Sequence, residues 1–217
     1  MEENDVGDMI QQAFTPEAVV LAAGSFPTHP VALGYLKNAP FLVCCDGAAV
    51  GCIRRKYNPD IIIGDGDSLP YSWKRKYSSI LFQISEQENN DLTKAMHFLL
   101  VRGYRKVVIL GATGKREDHT IGNISLLTDY LHLQFEVRMV TNHGVFIPVQ
   151  DTQTFESIPG EVLSIFNIDA HQISSDGLKY PLYDFTKMWQ GTLNESLCDS
   201  FTIHASGNYL VFRKFSQ

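Results

Sequence analysis

Apolar runs of about five residues alternate with helix-like segments through the first two thirds of the chain. The predicted strands are residues 18–23, 41–45, 61–63, 80–84, 107–110 and 135–140. Between them, helical spacing predicts helices over residues 31–37, 48–56, 91–102 and 118–132. Strands that alternate with helices form βαβ units, which build parallel sheets. The pattern therefore predicts an α/β domain over residues 1–142, with a mostly parallel, Rossmann-like sheet and helices on both faces.

The character of the chain changes near residues 141–144. Short alternating segments follow, separated by turn residues and without a convincing helix. The predicted strands are residues 145–149, 162–166, 172–174, 200–204 and 209–212. This pattern predicts a small all-β sandwich or barrel domain over residues 143–217.

Two carboxylates follow the run of three isoleucines at residues 61–63, which is typical of a strand buried on both faces. Asp65 and Asp67 are separated only by Gly66, and like charges this close raise each other's pKa or recruit a cation. Oxygen ligands without a nearby Cys or His cluster suit Mg²⁺. A solvated turn is the alternative for this motif alone. Polar clusters after the other strands favour a site, because ligands of open parallel sheets bind at the carboxyl edge.

The helix predicted at residues 91–102 begins with a second polar cluster. Asp91 and Lys94 are three residues apart, so they share a helix face and can hold a metal and a phosphate respectively. The helix dipole alone also favours an aspartate in the first turn. Gln87 is placed to donate a hydrogen bond to a neutral ligand group.

A loop of small residues, Gly111-Ala112-Thr113-Gly114, follows the fifth predicted strand. Such a loop lets backbone N–H groups face an anion, and the helix after it adds its positive end. Arg116 offers a planar fork suited to phosphate, and Asp118 can cap the helix, orient Arg116 or contact a ribose. We expect His119 to be a packed or capping side chain. Carboxylates that can bind a metal, together with cations that can bind phosphate and no candidate covalent nucleophile, indicate phosphoryl-type transfer.

Bulk properties exclude some partners. The formal charge of -6 argues against a nucleic-acid surface, which normally shows clustered Lys and Arg. No apolar run is long enough to span a membrane, and the acidic amino terminus does not resemble a signal peptide. The four cysteines lack zinc-type spacing and are expected to be buried free thiols in a reducing compartment. A cytoplasmic protein is the resulting expectation.

Motifs in both halves of the chain resemble those of the thiamine pyrophosphokinase family. They are Asp46-Gly47-Ala48, Gly64-Asp65-Gly66-Asp67-Ser68, Gln87 with Asp91-Leu92-Thr93-Lys94, the stretch from Gly111 to His119 with Asn123, Ser175 to Leu182, and Gly191 to Glu195. The resemblance implies transfer of a pyrophosphoryl group from ATP to the hydroxyl of thiamine, giving thiamine diphosphate and AMP. It also implies Mg²⁺ as the cofactor and a homodimer with its sites at the subunit interface.

The resemblance implies a role for each matching residue. Asp65, Asp67 and Asp91 would hold Mg²⁺ on the triphosphate, and Lys94 and Arg116 would neutralise the charge on the transferred group. The ATP-binding set would be Asp46, Gly47, Asp65, Asp67, Lys94, Thr113, Arg116 and Asp118. The thiamine-binding set would be Gln87, Ser175, Tyr180 and Asn194. The carboxyl-terminal half would supply the thiamine pocket and the dimer interface.

Three positions depart from the family pattern. Asn90 stands where the family usually has Thr, Tyr180 replaces a Trp, and Leu193 replaces a Ser. A Tyr ring can still face the cationic thiazolium, although Trp is the better cation–π partner.

Two other functions remain open on the sequence. One is a metal-dependent nucleotide-sugar transferase with a D-x-D motif, which gives no role to the loop around Arg116. The other is a non-catalytic sensor of thiamine or nucleotide, which would not need the carboxylates that bind the metal.

Overall fold

The computed structural model describes Val6, Gly7, Met9, residues 14–84, Glu86 and residues 88–216. It divides the chain into two compact units. The first unit is Thr15–Asn142, and the second takes the described residues from His143 onward together with those near the amino terminus.

The first unit is an α/β unit with a parallel sheet. Its strands are β1 (Ala18–Leu21), β2 (Leu42–Cys45), β3 (Ile61–Gly64), β4 (Leu81–Gln83), β5 (Lys106–Leu110) and β6 (Glu136–Val140). Its helices are α1 (Pro30–Lys37), α2 (Ala48–Arg54), α3 (Tyr71–Lys76), α4 (Asp91–Val101) and α5 (Glu117–His132). The strands pair in the order β6-β5-β1-β2-β3-β4, and every neighbouring pair is parallel. The prediction of an α/β fold with a mostly parallel sheet is confirmed.

Apolar side chains at the expected positions form the core of this unit. Ile62 and Ile63 of β3 are fully buried, as a strand inside a parallel sheet requires. Helix α4 buries the stripe Leu92, Ala95, Met96 and Leu99, which follows the helical period. Its amino terminus is capped by the side chain of Asn90, whose Oδ1 accepts a hydrogen bond from the Thr93 N–H at 2.8 Å. The cap lies one residue before Asp91 and fixes Asp91 as the first residue of the helix.

The second unit consists of antiparallel strands. They are β7 (Gly144–Gln150), β8 (Gln153–Glu156), β9 (Val162–Asn167), β10 (His171–Asp176), β11 (Asn194–Glu195), β12 (Ser200–Ser206) and β13 (Asn208–Lys214). Strands β11, β9, β13 and β7 pair in that order, and β10, β12 and β8 form a separate sheet. A buried ion pair joins Arg213 of β13 to Glu161, with Nε 2.6 Å from Oε1.

The structure corrects three expectations for this unit. Strands β8 and β11 were not among the predicted strands, and a short 3-10 helix occupies Met188–Gly191 where no helix was expected. Cys198 is exposed, because it lies in the irregular segment between β11 and β12, whereas Cys44, Cys45 and Cys52 are buried as expected. None of the helices in the described part of the chain has the length and apolar character of a membrane span.

Candidate active site

The acidic loop after β3 is folded by its own side chains and by close backbone packing. Asp65 Oδ1 accepts a hydrogen bond from the Asp67 N–H at 2.9 Å, which closes an Asx-type turn. Gln83 Nε2 donates to the Asp65 carbonyl at 3.1 Å. A Cβ at Gly64 would lie 2.5 Å from the Cβ of Asp46, so only glycine fits there. The turn leaves the Asp67 side chain 85% exposed, with Lys74 Nζ 3.7 Å from Oδ1.

Asp46, at the end of β2, carries a buried carboxylate in which only one of the two oxygens is hydrogen-bonded. Its φ of 29° is unusual for a residue other than glycine. Oδ2 accepts a hydrogen bond from the Ser68 N–H at 3.2 Å, which ties the acidic loop to β2. Oδ1 is buried and has no hydrogen-bond partner among the described residues. Leaving a buried carboxylate oxygen unpaired costs free energy, so this atom is a candidate acceptor for a cation or a donor.

The first turn of α4 brings a buried ammonium next to a carboxylate. Lys94 is buried, and its Nζ donates to the Ile84 carbonyl at 3.3 Å and lies 3.7 Å from Asp91 Oδ1. Burial raises the pKa of Asp91, the Lys94 charge opposes this, and the carboxylates of Asp46 and Asp65 raise it further. The Asp91 carboxylate is therefore repelled by its acidic neighbours, and a nearby cation would relieve the repulsion.

The donor set fits a divalent cation that arrives with a nucleotide. Within the described residues, no three side chains of His, Cys, Asp or Glu are placed so that they could bind a metal together. Magnesium is commonly held by one or two carboxylates, with phosphate oxygens and water completing its shell. The unpaired Asp46 oxygen and the mutual repulsion of the carboxylates agree with such an ion.

The loop at residues 111–114 directs its carbonyls into the protein. All four carbonyls accept hydrogen bonds of 2.6–2.8 Å. The donors are the N–H groups of Gly24 and Ser25, the Ser25 hydroxyl and the side-chain amide of Asn123. The N–H groups of residues 112–115 donate to no acceptor in the part of the chain that the structure describes. Backbone N–H groups left free in this way are able to bind an anion, and the start of α5 adds its positive end.

Arg116 and Asp118 form an exposed ion pair at the start of α5. Arg116 Nε lies 3.1 Å from Asp118 Oδ1, and Nη2 lies 2.5 Å from Oδ2. The pair raises the pKa of Arg116 and lowers the pKa of Asp118. Two of the three roles open to Asp118 are displayed by this geometry: it orients Arg116, and its Oδ1 accepts a hydrogen bond from the His119 N–H at 2.9 Å in the first turn of α5.

A cavity of about 620 Å³ within the first unit gathers these groups. The predicted residues that line it are Asp65, Asp91, Lys94, Thr113 and Arg116. The remaining predicted residues of this unit, Asp46, Gly47, Asp67 and Asp118, are not part of its lining. Gly47 lets the acidic loop approach, since a Cβ there would lie 3.2 Å from that of Ser68.

Sequence reasoning assigned no role to several other residues that line the cavity. Lys115 is one, and its Nζ donates to the Ala23 carbonyl at 2.7 Å. Asn123 is another, and Asn90, which the sequence marked as a departure from the family pattern, also lines the cavity. His119 is exposed and lines the cavity too, so the expectation of a packed side chain is wrong. Lys115 and Asn123 both belong to a motif that resembles the family, so the sequence did contain a signal that these residues are functional. Gln87 lies outside the described residues.

The predicted thiamine residues of the second unit form one local structure. Asn194 is buried, and its side chain accepts from the Tyr180 N–H at 3.1 Å and donates to the Tyr180 carbonyl at 2.7 Å. Ser175 Oγ accepts from the Leu182 N–H at 3.0 Å and holds the same segment. Tyr180 is 58% exposed. Asn194 and Ser175 thus support the segment that carries the exposed Tyr180.

An open parallel sheet with an anion-binding loop and carboxylates after its strands is the arrangement of a nucleotide-binding α/β protein. Two family profiles match the chain. The one described as "Thiamin pyrophosphokinase, catalytic domain" covers residues 33–139, and "Thiamin pyrophosphokinase, substrate-binding domain" covers residues 144–212. Together they span most of the sequence, and the chain belongs to the thiamin pyrophosphokinase family.

Individual relatives agree with this assignment. Thiamine pyrophosphokinase of Bacillus subtilis is 26% identical over 200 residues, covering 88% of this chain and 91% of that protein. Thiamine pyrophosphokinase 2 of Oryza sativa is 29% identical over 169 residues, covering 70% of this chain and 61% of that protein.

Solved structures share the fold. The crystal structure of the Bacillus subtilis thiamine pyrophosphokinase has a TM-score of 0.75 at 21% identity and covers 92% of this chain and 99% of its own. Thiamin pyrophosphokinase from Candida albicans has a TM-score of 0.74 at 19% identity, covering 91% and 90%.

Proposed function

We propose that the protein transfers the pyrophosphoryl group of ATP to the hydroxyl of thiamine, giving thiamine diphosphate and AMP. The observation that carries the proposal is a single cavity lined by an anion-binding loop, the buried Lys94 ammonium and the Asp65 and Asp91 carboxylates. Membership of the family supports the reaction, and the names of the relatives in Bacillus subtilis and Oryza sativa agree with it.

The transfer forms a bond between the thiamine hydroxyl oxygen and the β phosphorus, and breaks the bond from that phosphorus to the oxygen bridging it to the α phosphorus. AMP leaves with the bridging oxygen, and the hydroxyl proton passes to solvent. The free N–H groups of residues 112–115 bind phosphate oxygens. Lys94 and Arg116 offset the negative charge, which is the main catalytic demand in phosphoryl transfer.

Asp65, Asp67 and Asp91 would hold the divalent ion, and we propose that the ion is Mg²⁺. When bound, it would supply Lewis-acid chemistry that neutralises the charge developing on the transferred group. The Asp67 carboxylate lies 3.7 Å from Lys74 Nζ, so this cation is next to the proposed ligand. Asp46 and Gly47 hold the acidic loop in place, Thr113 contributes its N–H to the anion-binding loop, and Asp118 orients Arg116.

Four residues carry the proposed thiamine site, and two copies of the chain form the proposed assembly. Gln87, Ser175, Tyr180 and Asn194 form the thiamine-binding set, in which Tyr180 faces the cationic ring. The protein is a homodimer with its sites at the subunit interface. This is supported by large apolar side chains of the second unit that stay exposed on one chain: Tyr180, Tyr183, Met188, Trp189, Leu193 and Leu197.

The protein has two domains and a cytoplasmic location in this proposal. Residues 15–142 are a Rossmann-like catalytic domain, a narrower range than the 1–142 expected from the sequence, because the described residues near the amino terminus belong to the second unit. Residues 143–217 are a sandwich-like domain that provides the thiamine pocket. The buried free thiols of Cys44, Cys45 and Cys52 support a cytoplasmic location.

The test is to incubate the protein with ATP, Mg²⁺ and thiamine and to identify both products by chromatography. Thiamine diphosphate with an equimolar amount of AMP is the expected result, and EDTA should abolish it. Thiamine monophosphate with ADP would place the attack on the γ phosphorus and contradict the proposal. Binding of thiamine that persists in EDTA without any AMP release would identify a sensor instead.

A further inference from the structure

Two side-chain hydrogen bonds join helix α4 to helix α5. The hydroxyls of Thr93 and Tyr130 lie 3.0 Å apart in a buried contact. The Asn90 side-chain amide donates from Nδ2 to Oδ1 of Asn123 at 3.2 Å, and both asparagines line the cavity. The first bond belongs to the core of the unit, and the second belongs to the site.

The second bond is part of a longer chain of hydrogen bonds. Asn90 Oδ1 accepts from the Thr93 N–H at 2.8 Å, so its amide group is held in one orientation. Asn123 receives the bond from Asn90 and donates from Nδ2 to the Ala112 carbonyl at 2.8 Å. The chain thus runs from the first turn of α4, which carries Asp91 and Lys94, to the anion-binding loop.

We propose that the Asn90–Asn123 bridge is a positioning device for the reaction. It fixes the distance between the Asp91–Lys94 pair and the N–H groups of the loop, two elements that must contact one transferred diphosphate at the same time. This proposal rests on the proposed function. Small misplacements of groups around a reacting phosphate are costly in rate. Asn90 and Asn123 act through their neighbours and need not touch the reacting atoms.

The test compares Asn90→Ser, Asn123→Ala and the double variant with the wild type. Serine can still cap α4 but is too short and has no amide to reach Asn123. We expect each single variant to lower kcat about tenfold and to leave the thiamine KM near the wild-type value. The double variant should lose no more than the more impaired single variant, because one bridge can be broken only once.

Tyr130→Phe is the matched control, since it removes the other hydrogen bond between α4 and α5. We expect it to lower Tm and to leave kcat unchanged. The proposal is overturned if the single variants keep the wild-type kcat, if the double loss equals the product of the single losses, or if Tyr130→Phe reproduces the kcat loss.

A binding series separates this proposal from the proposed function. The affinities of the wild type and the three bridge variants for a non-hydrolysable ATP analogue with Mg²⁺ are measured by calorimetry. If the wild type binds the analogue but forms no thiamine diphosphate, the proposed function is overturned, and the affinities of the variants then test the bridge proposal. Losses of affinity that are not additive support the bridge proposal, and additive or absent losses overturn it. A wild type that neither binds nor reacts overturns both.

Discussion

At the scale of single residues, Asp67 is the sharpest test of the metal set. We predict that Asp67→Asn lowers kcat at least about a hundredfold, because it removes a charged ligand that should contribute several kcal/mol to charge neutralisation. The fold should survive, since the side chain is 85% exposed and makes only a surface contact to Lys74. Activity assays and thermal unfolding check the two halves of this prediction. Lys74→Gln is the control and should retain activity; a similar loss there would mean that the ion pair, not the metal, matters.

Variants of Tyr180 and Asn194 distinguish a side chain that contacts thiamine from one that only holds the contacting residue in place. We predict that Tyr180→Ala raises the thiamine KM about tenfold, because a desolvated cation–π contact is removed, and that Tyr180→Trp restores it. Asn194→Ala should raise the same KM, because it releases both backbone hydrogen bonds that hold Tyr180. Steady-state kinetics with varied thiamine check this. If Asn194→Ala also raised the KM in a Tyr180→Ala background, Asn194 would itself contact the ligand.

The residue types at the site were predictable from the sequence, and their pairings were not. The resemblance implied that Asp65, Asp67 and Asp91 hold one ion, but motif spacing could not show that the Asp67 carboxylate lies next to Lys74 in an Asx-type turn. The buried, half-satisfied state of Asp46 depends on a hydrogen bond to a residue 22 positions away. These are tertiary effects, which local periodicity and motif spacing do not contain.

At the scale of secondary-structure elements, Glu17 is a candidate for pH-dependent stability. It precedes β1, and its Oε2 accepts from the N–H groups of Arg105 and Lys106 at 2.6 and 3.0 Å, which fixes the start of β5. The Arg105 N–H has the larger effect, and together these bonds lower the pKa of Glu17 below 4.5. Its contribution to stability is therefore fully present above pH 4.5 and is lost as the pH falls through the lower, folded-state pKa.

We predict that Glu17→Gln lowers the free energy of unfolding near neutral pH and that the difference from the wild type shrinks in acid. Urea unfolding across a pH series measures it. Glu136→Gln is the control, because Glu136 makes an exposed ion pair with Lys106 at 3.3 Å and should matter little. A difference for Glu17→Gln that stayed constant with pH would show that the two hydrogen bonds do not depend on its charge.

Elements with strong periodicity were predicted well, and those defined by pairing were not. The buried isoleucines of β3 and the apolar stripe of α4 identify a strand and a helix without other information. Strand β11 has two residues and exists because Asn194 and Glu195 pair with Leu163 and Val162. Its length is too short for alternation to be visible. Cys198 was wrongly predicted to be buried for the same reason, since only the end of β11 places it in an exposed segment.

At the scale of the whole molecule, the proposed homodimer makes the last prediction. Light scattering should give twice the chain mass of 24.4 kDa, and activity per chain should fall on dilution if each site needs both subunits. Trp189 is 68% exposed on the single chain, and Trp189→Lys should weaken the dimer, because charged side chains are disfavoured at interface cores. Val101→Lys is the control, since Val101 is exposed on α4 of the first unit and should leave the mass unchanged. A wild type with the mass of one chain and full activity would contradict the dimer, whereas a Trp189→Lys protein that stays dimeric would place the interface elsewhere.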